Sequence, residues 1–101
     1  MRLRDELGRE AVKKVLYHFT SLLNARRIVA AGFHPGHDRG DVYLTNSLTG
    51  EASWFGDAAV VVEVGILDLT LDDEFCTGEV HYRCHYSKVR PVALLMKEEK
   101  G

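Results

Sequence analysis

The stretch VLYHFTSLLNARRIVAAGF, Val15 to Phe33, contains the change of periodicity that decides the fold. From Val15 to Phe19 the residues alternate as in a strand, with Val15, Tyr17 and Phe19 facing one way and Leu16 and His18 the other. After that the period lengthens to that of a helix. Thr20 or Ser21 supplies the N-cap, and Leu22, Ala25, Ile28 and Val29 form the stripe expected to be buried. Gly32 ends the helix, and Phe33 is placed for the apolar contact that often accompanies a glycine cap. The chain is therefore expected to run from a strand directly into a helix, with His18 standing just before the switch.

Upstream, Leu3, Leu7 and Ala11 have helical spacing, so residues 3–14 are expected to form a short leading helix, weakened by Gly8. Downstream, HPGHDRGD, His34 to Asp41, holds a proline and two glycines among charges and reads as a mobile loop. DVYLTN is a short strand with Val42 and Leu44 on one face and Tyr43 and Thr45 on the other. Asn46 or Ser47 is then expected to cap a second helix carrying Leu48, Ala52 and Phe55 and ending at Gly56. The β-branched run AAVVVEVGI reads as a central strand covered on both faces, followed by an acidic turn from Asp68 to Glu74. In GEVHYRCHYSKV the apolar Val80, Tyr82, Cys84 and Tyr86 alternate with Glu79, His81, Arg83 and His85, and RPVALLM forms a last strand. These elements predict one α+β domain over residues 1–101, with a small mixed or antiparallel split sheet and two or three helices.

A chain of 101 residues has the size of one core, because two domains would each be too small to bury a stable one. Its 13 basic and 15 acidic residues leave no overall drive toward nucleic acid or an anionic membrane, which argues against a bulk DNA binder. It does not argue against an enzyme that acts locally on a nucleic acid. No apolar run approaches a membrane span, and the charged start Met1 to Glu6 lacks a signal-peptide core, so a cytoplasmic location without a membrane partner is expected. Two cysteines suggest reduced thiols.

Cys76, His81, Cys84 and His85 are four zinc-type side chains within ten residues. A tetrahedral site needs them to converge, and neighbours in a strand such as Cys84 and His85 point to opposite faces. Cys84 is therefore read as a small core residue, and no metal is expected. His18, Tyr43 and Glu79 each have an ordinary reading, as a satisfied histidine, a packing aromatic and a solvated strand residue. Taken together, each lies in or beside a strand, opposite that strand's apolar partners, so the three could line one cleft. No glycine-rich phosphate loop, Ser–His–Asp spacing or cysteine nucleophile with an evident base accompanies them.

With these residues in view, the chain resembles a minimal ADP-ribosyltransferase. LYHFTSLLNARRIVAAGF is similar to the first motif of that superfamily, where a histidine ends the first strand and a helix of pattern N-x3-I-x3-G follows, and its wording resembles the DarT family of DNA-modifying transferases. GDVYLTNSLTGEASWFG resembles the second motif, and GEVHYRCHYSKVRPVALL the third, in which an acid opens a strand ahead of a proline. The likeness spans roughly residues 15–96. It implies NAD as co-substrate, with no metal, for ADP-ribosyl transfer (a glycosyltransferase reaction) to an unidentified acceptor: nucleic acid, protein or small molecule. It also implies that His18 bonds a ribose hydroxyl and that the Phe19 backbone meets the nicotinamide amide. Tyr43 would stack on the nicotinamide, with Thr20 and Phe55 as further NAD contacts. Glu79 would bond the 2′-hydroxyl and stabilise the oxocarbenium-like transition state.

The chemistry is sound in its own right. A carboxylate in a dry cleft stabilises positive charge on the ribose, and a flat cationic ring favours an aromatic face. Glu63, in VVVEVGI, is the rival acid, although its place among valines suits an ion pair with Arg83 or Arg90. The alternative functions are NAD glycohydrolysis, an RNA 2′-phosphotransferase-like reaction, and a non-catalytic fold that binds a nucleotide or a partner. An inhibitor protein would be a further partner.

Overall fold

The computed structural model of the chain describes residues 12–34 and 40–96. Among the described residues six strands, β1 (Lys13–Thr20), β2 (Asp41–Thr45), β3 (Ala58–Gly65), β4 (Thr70–Glu74), β5 (Val80–His85) and β6 (Arg90–Met96), form one sheet with a single α-helix, α1 (Leu22–Ala31). The sheet order is β4-β5-β2-β1-β3-β6, and every neighbouring pair is antiparallel. The architecture is α+β, as the sequence predicts.

The strand-to-helix switch forms as read. Ser21, not Thr20, is the N-cap; its hydroxyl accepts from the Asn24 amide at 3.2 Å, and Thr20 Oγ1 accepts from Asn24 Nδ2 at 2.8 Å. At the other end the Gly32 amide donates to the Ile28 carbonyl with φ at 86°, a left-handed backbone that glycine adopts without the Cβ penalty. Ala25 and Ile28 are buried, while Val29 is exposed and drops out of the expected stripe.

The core lies under α1, on the face of the sheet that carries Leu16, Val42, Leu44, Val60, Val62, Val64 and Cys84. Strand register explains this grouping, since Leu16 stands beside Val62, His18 beside Val60 and Val42 beside Cys84. His18 therefore shares its face with fully buried Leu16, whereas Val15 is exposed. This corrects the expectation that His18 faces away from the apolar side of its strand, because α1 selects the Leu16 face for burial. On β3, likewise, Val60, Val62 and Val64 are fully buried, but Val61 and Glu63 are only half-buried.

The sheet is divided in its middle. β1 pairs with β3 over eight positions and β2 with β5 over five, yet among the described residues β1 meets β2 at one position only, Tyr17 opposite Thr45. β4-β5-β2 and β1-β3-β6 join at that pair into one six-stranded, all-antiparallel sheet.

Three expectations fail. The second helix is a five-residue 3₁₀ turn, Glu51–Phe55, and no second α-helix occurs among the described residues. Local bonds from the Ser47 amide to Thr45 Oγ1 and from the Thr49 amide to Ser47 Oγ compete with a helical ladder, and the distant Glu79 carboxylate takes the Glu51 and Ala52 amides. The acidic segment Asp68 to Glu74 is mostly edge strand β4, whose charges suit an unpaired edge. Of the leading helix, Lys13 and Lys14 belong to β1, and residues 3–11 lie outside the described residues, as do residues 35–39 of the loop after α1. Among the described residues no helix is long and apolar enough to cross a membrane.

Candidate functional site

Where β1 and β2 part, a cleft of about 520 Å³ opens between the halves of the sheet. That volume falls within the range of roughly 300–1,000 Å³ typical of ligand pockets. β1 contributes Tyr17, His18, Phe19 and Thr20, and β2 contributes Tyr43, Leu44 and Thr45. The 3₁₀ turn contributes Ala52 and Phe55, β4 Asp72 and β5 His81. The turn lies close against β1 because Gly56 has no side chain; a Cβ there would strike the Thr20 backbone.

The His18 ring is fixed at one nitrogen. Nδ1 donates to the main-chain carbonyl of Tyr43 at 2.9 Å, and the ring stands edge-on to Phe33 with centroids 5.3 Å apart. Burial lowers the pKa below the ordinary 6.5, and the bond to the Tyr43 carbonyl offsets this only in part. The imidazole is therefore neutral at pH 7, and the carbonyl fixes its tautomer with the proton on Nδ1. Nε2 is left as a hydrogen-bond acceptor and has no partner among the described residues. Tyr43 is 45% exposed, so its flat face is available to a ligand. Phe55 is 77% exposed at the same cleft.

Glu79 is placed differently. It is only 6% exposed and does not line the cleft; its carboxylate lies behind the wall. There it accepts from the Glu51 amide at 2.7 Å, the Ala52 amide at 3.2 Å, Thr45 Oγ1 at 3.4 Å and His81 Nε2 at 2.5 Å. Three of these donor residues, Thr45, Ala52 and His81, do line the cleft. Burial alone would raise the Glu79 pKa, but the bonds from His81 and the two amides outweigh it and hold the carboxyl below its ordinary 4.5. Gly50 makes the arrangement possible, because a Cβ at that position would collide with the Glu79 carboxylate.

Comparison with protein-family models, with curated proteins and with solved structures finds no match.

Five of the residues singled out in the sequence, His18, Phe19, Thr20, Tyr43 and Phe55, come together around the cleft. Glu79 reaches it only through its neighbours. Glu63 stands apart on β3, opposite Arg90, whose Nη1 donates to Glu63 Oε1 at 3.3 Å in the structural pairing expected of it. Sequence reasoning missed His81 as a site residue, although its place two residues after Glu79 on a strand put both side chains on one face. Thr45 and Ala52 had no sequence signal, because their positions depend on the turn that Glu79 caps. Cys84 is buried in the core, its thiol raised to about 11 by burial and by the charges of Asp68 and Asp41. Among the described residues no group of three or more His, Cys, Asp or Glu side chains is placed to hold a metal ion.

Proposed function

We propose that the cleft binds NAD and that the protein transfers the ADP-ribosyl group to an acceptor, in the manner of the ADP-ribosyltransferases that its motifs resemble. The observation that carries this reading is the split at Tyr17–Thr45, where His18 and Tyr43 meet at the mouth of one cleft. The neutral His18 Nε2 is suited to accept a hydrogen bond from a ribose hydroxyl, and its fixed ring gives that bond a direction. Tyr43 offers an aromatic face to the nicotinamide cation, and Phe55 a second apolar surface.

Breaking the bond between the ribose and the nicotinamide leaves positive charge on the sugar. Glu79 places a full negative charge one layer behind the cleft wall, held by four donors that need no rearrangement as that charge develops. Asp72 adds a second carboxylate at the rim.

The test is to offer NAD labelled in its adenine portion together with pools of DNA, RNA, protein and small molecules. Label carried by an acceptor supports transfer. Label released wholly as free ADP-ribose indicates glycohydrolysis, and NAD binding without turnover indicates a binding module.

A further inference from the structure

We infer that His81 is the general base that takes the proton of an incoming hydroxyl group, so that the acceptor is an alcohol-type oxygen; this rests on the NAD reading above.

Two observations support it. His81 lines the cleft while its Nε2 donates to Glu79 Oε2, a pair that fixes the ring, so that in the neutral imidazole Nδ1 carries the lone pair. No described residue bonds Nδ1. On its far side the ring packs edge-on to Phe75 with centroids 4.8 Å apart, so two contacts hold its orientation. In this arrangement Glu79 is a positioning residue, because its lone pairs are already engaged by amides, a hydroxyl and the imidazole.

The surroundings select the acceptor. β4 sets Asp73 directly beside His81 and brings Asp72 to the cleft, β2 presents Thr45 opposite His81 with Tyr43 further along, and the 3₁₀ turn carries Glu51. Of these acids Asp72 lines the cleft, with Arg83 Nε 3.9 Å from it; a carboxylate or a thiolate needs no base there and gains nothing from His81. A neutral hydroxyl has a proton to lose and becomes a stronger nucleophile as it loses it, so it is the acceptor that a base at this place serves. In the step, the ribose C1′–nitrogen bond breaks and its electron pair leaves with neutral nicotinamide. The acceptor oxygen forms the new bond to C1′, and its proton moves to His81 Nδ1.

The experiment uses NAD with methanol as the neutral hydroxyl probe, following free nicotinamide and the methyl glycoside of ADP-ribose from pH 5 to 9. The wild-type rate is expected to rise with pH to a plateau. His81→Gln should keep the rise in melting temperature caused by NAD but lose the pH dependence, and it should be slower by roughly 10²- to 10⁴-fold. His81→Gln matching the wild-type rate and profile, or a flat wild-type profile, overturns the inference. Should His81→Gln fail to fold, the wild-type protein in deuterium oxide decides the matter. Slower turnover on the pH plateau supports proton transfer by a base, and an unchanged rate contradicts it. If the wild type releases no nicotinamide at all, the transferase reading itself fails and this inference falls with it.

Discussion

The His18 imidazole donates through Nδ1 to the Tyr43 carbonyl at 2.9 Å, so β1 and β2 are joined at the mouth of the cleft by a side chain beyond their one paired position, Tyr17–Thr45. This bond ties the orientation of His18 to the backbone that carries Tyr43, at the cleft both residues line.

Binding should depend on the Tyr43 ring more than on its hydroxyl. Stacking on an aromatic side chain is worth roughly 1–3 kcal/mol per base. Tyr43→Ala should therefore weaken NAD binding about tenfold or more, and Tyr43→Phe should stay close to wild type. The check is the NAD-dependent shift in melting temperature, which follows affinity by mass action. Equal shifts in the two variants would show that the ring does not stack on the ligand.

Glu79 should be needed for stability as well as turnover. The sequence suggests an accessible acid at a strand edge, for which Glu79→Gln would alter the rate alone. The structure buries the group under two amides, and a glutamine there must set its NH₂ against one of the donors. Glu79→Gln should cost about 1–3 kcal/mol of stability and slow transfer by roughly 10²- to 10⁴-fold. Gly50→Ala tests the same contact from the other side, since its methyl group displaces the carboxylate. Chemical denaturation should show both variants destabilised; a Gly50→Ala protein as stable and active as wild type would contradict the arrangement.

Stability should fall in mild acid, with His18 contributing first. The unfolded chain takes up a proton at His18 near the ordinary 6.5, while the folded protein resists until a lower pH. Between those values the unfolded state binds more protons, so the contribution of neutral His18 is complete above 6.5 and is lost as pH falls toward the folded value. The depressed Glu79 carboxyl acts in the same direction further down, with its contribution complete above 4.5 and lost through its lower folded value. Urea midpoints measured from pH 7.5 to 5 should fall more steeply for wild type than for His18→Gln. Parallel curves would remove the burial account of His18.

The strand-to-helix unit was legible because every local signal agreed: alternation to Phe19, a serine cap and a glycine at a positive φ. His18 and Tyr43 do reach one cleft, but not by the shared polar face that the alternation suggests, since His18 lies on the Leu16 face of β1 while Tyr43 stands opposite the buried Val42 and Leu44 on β2. What could not be read was that β1 buries a residue on each face, Leu16 in the core under α1 and Phe19 at the cleft. The turn Glu51–Phe55 was misread as a helix for a related reason. Its fate depends on the Glu79 carboxylate, 28 residues away in sequence from Glu51. His81 was visible as a residue but not as a cleft group, because its role follows from that same long-range contact.

The central claim is that the cleft at the split holds NAD for cleavage between ribose and nicotinamide. The most direct measurement is free nicotinamide released from millimolar NAD by the folded protein, compared with Glu79→Gln and Tyr43→Ala. The account predicts release by the wild type and its near-complete loss in both variants. Folded wild-type protein that releases no nicotinamide, or variants that release it as fast as wild type, would contradict it.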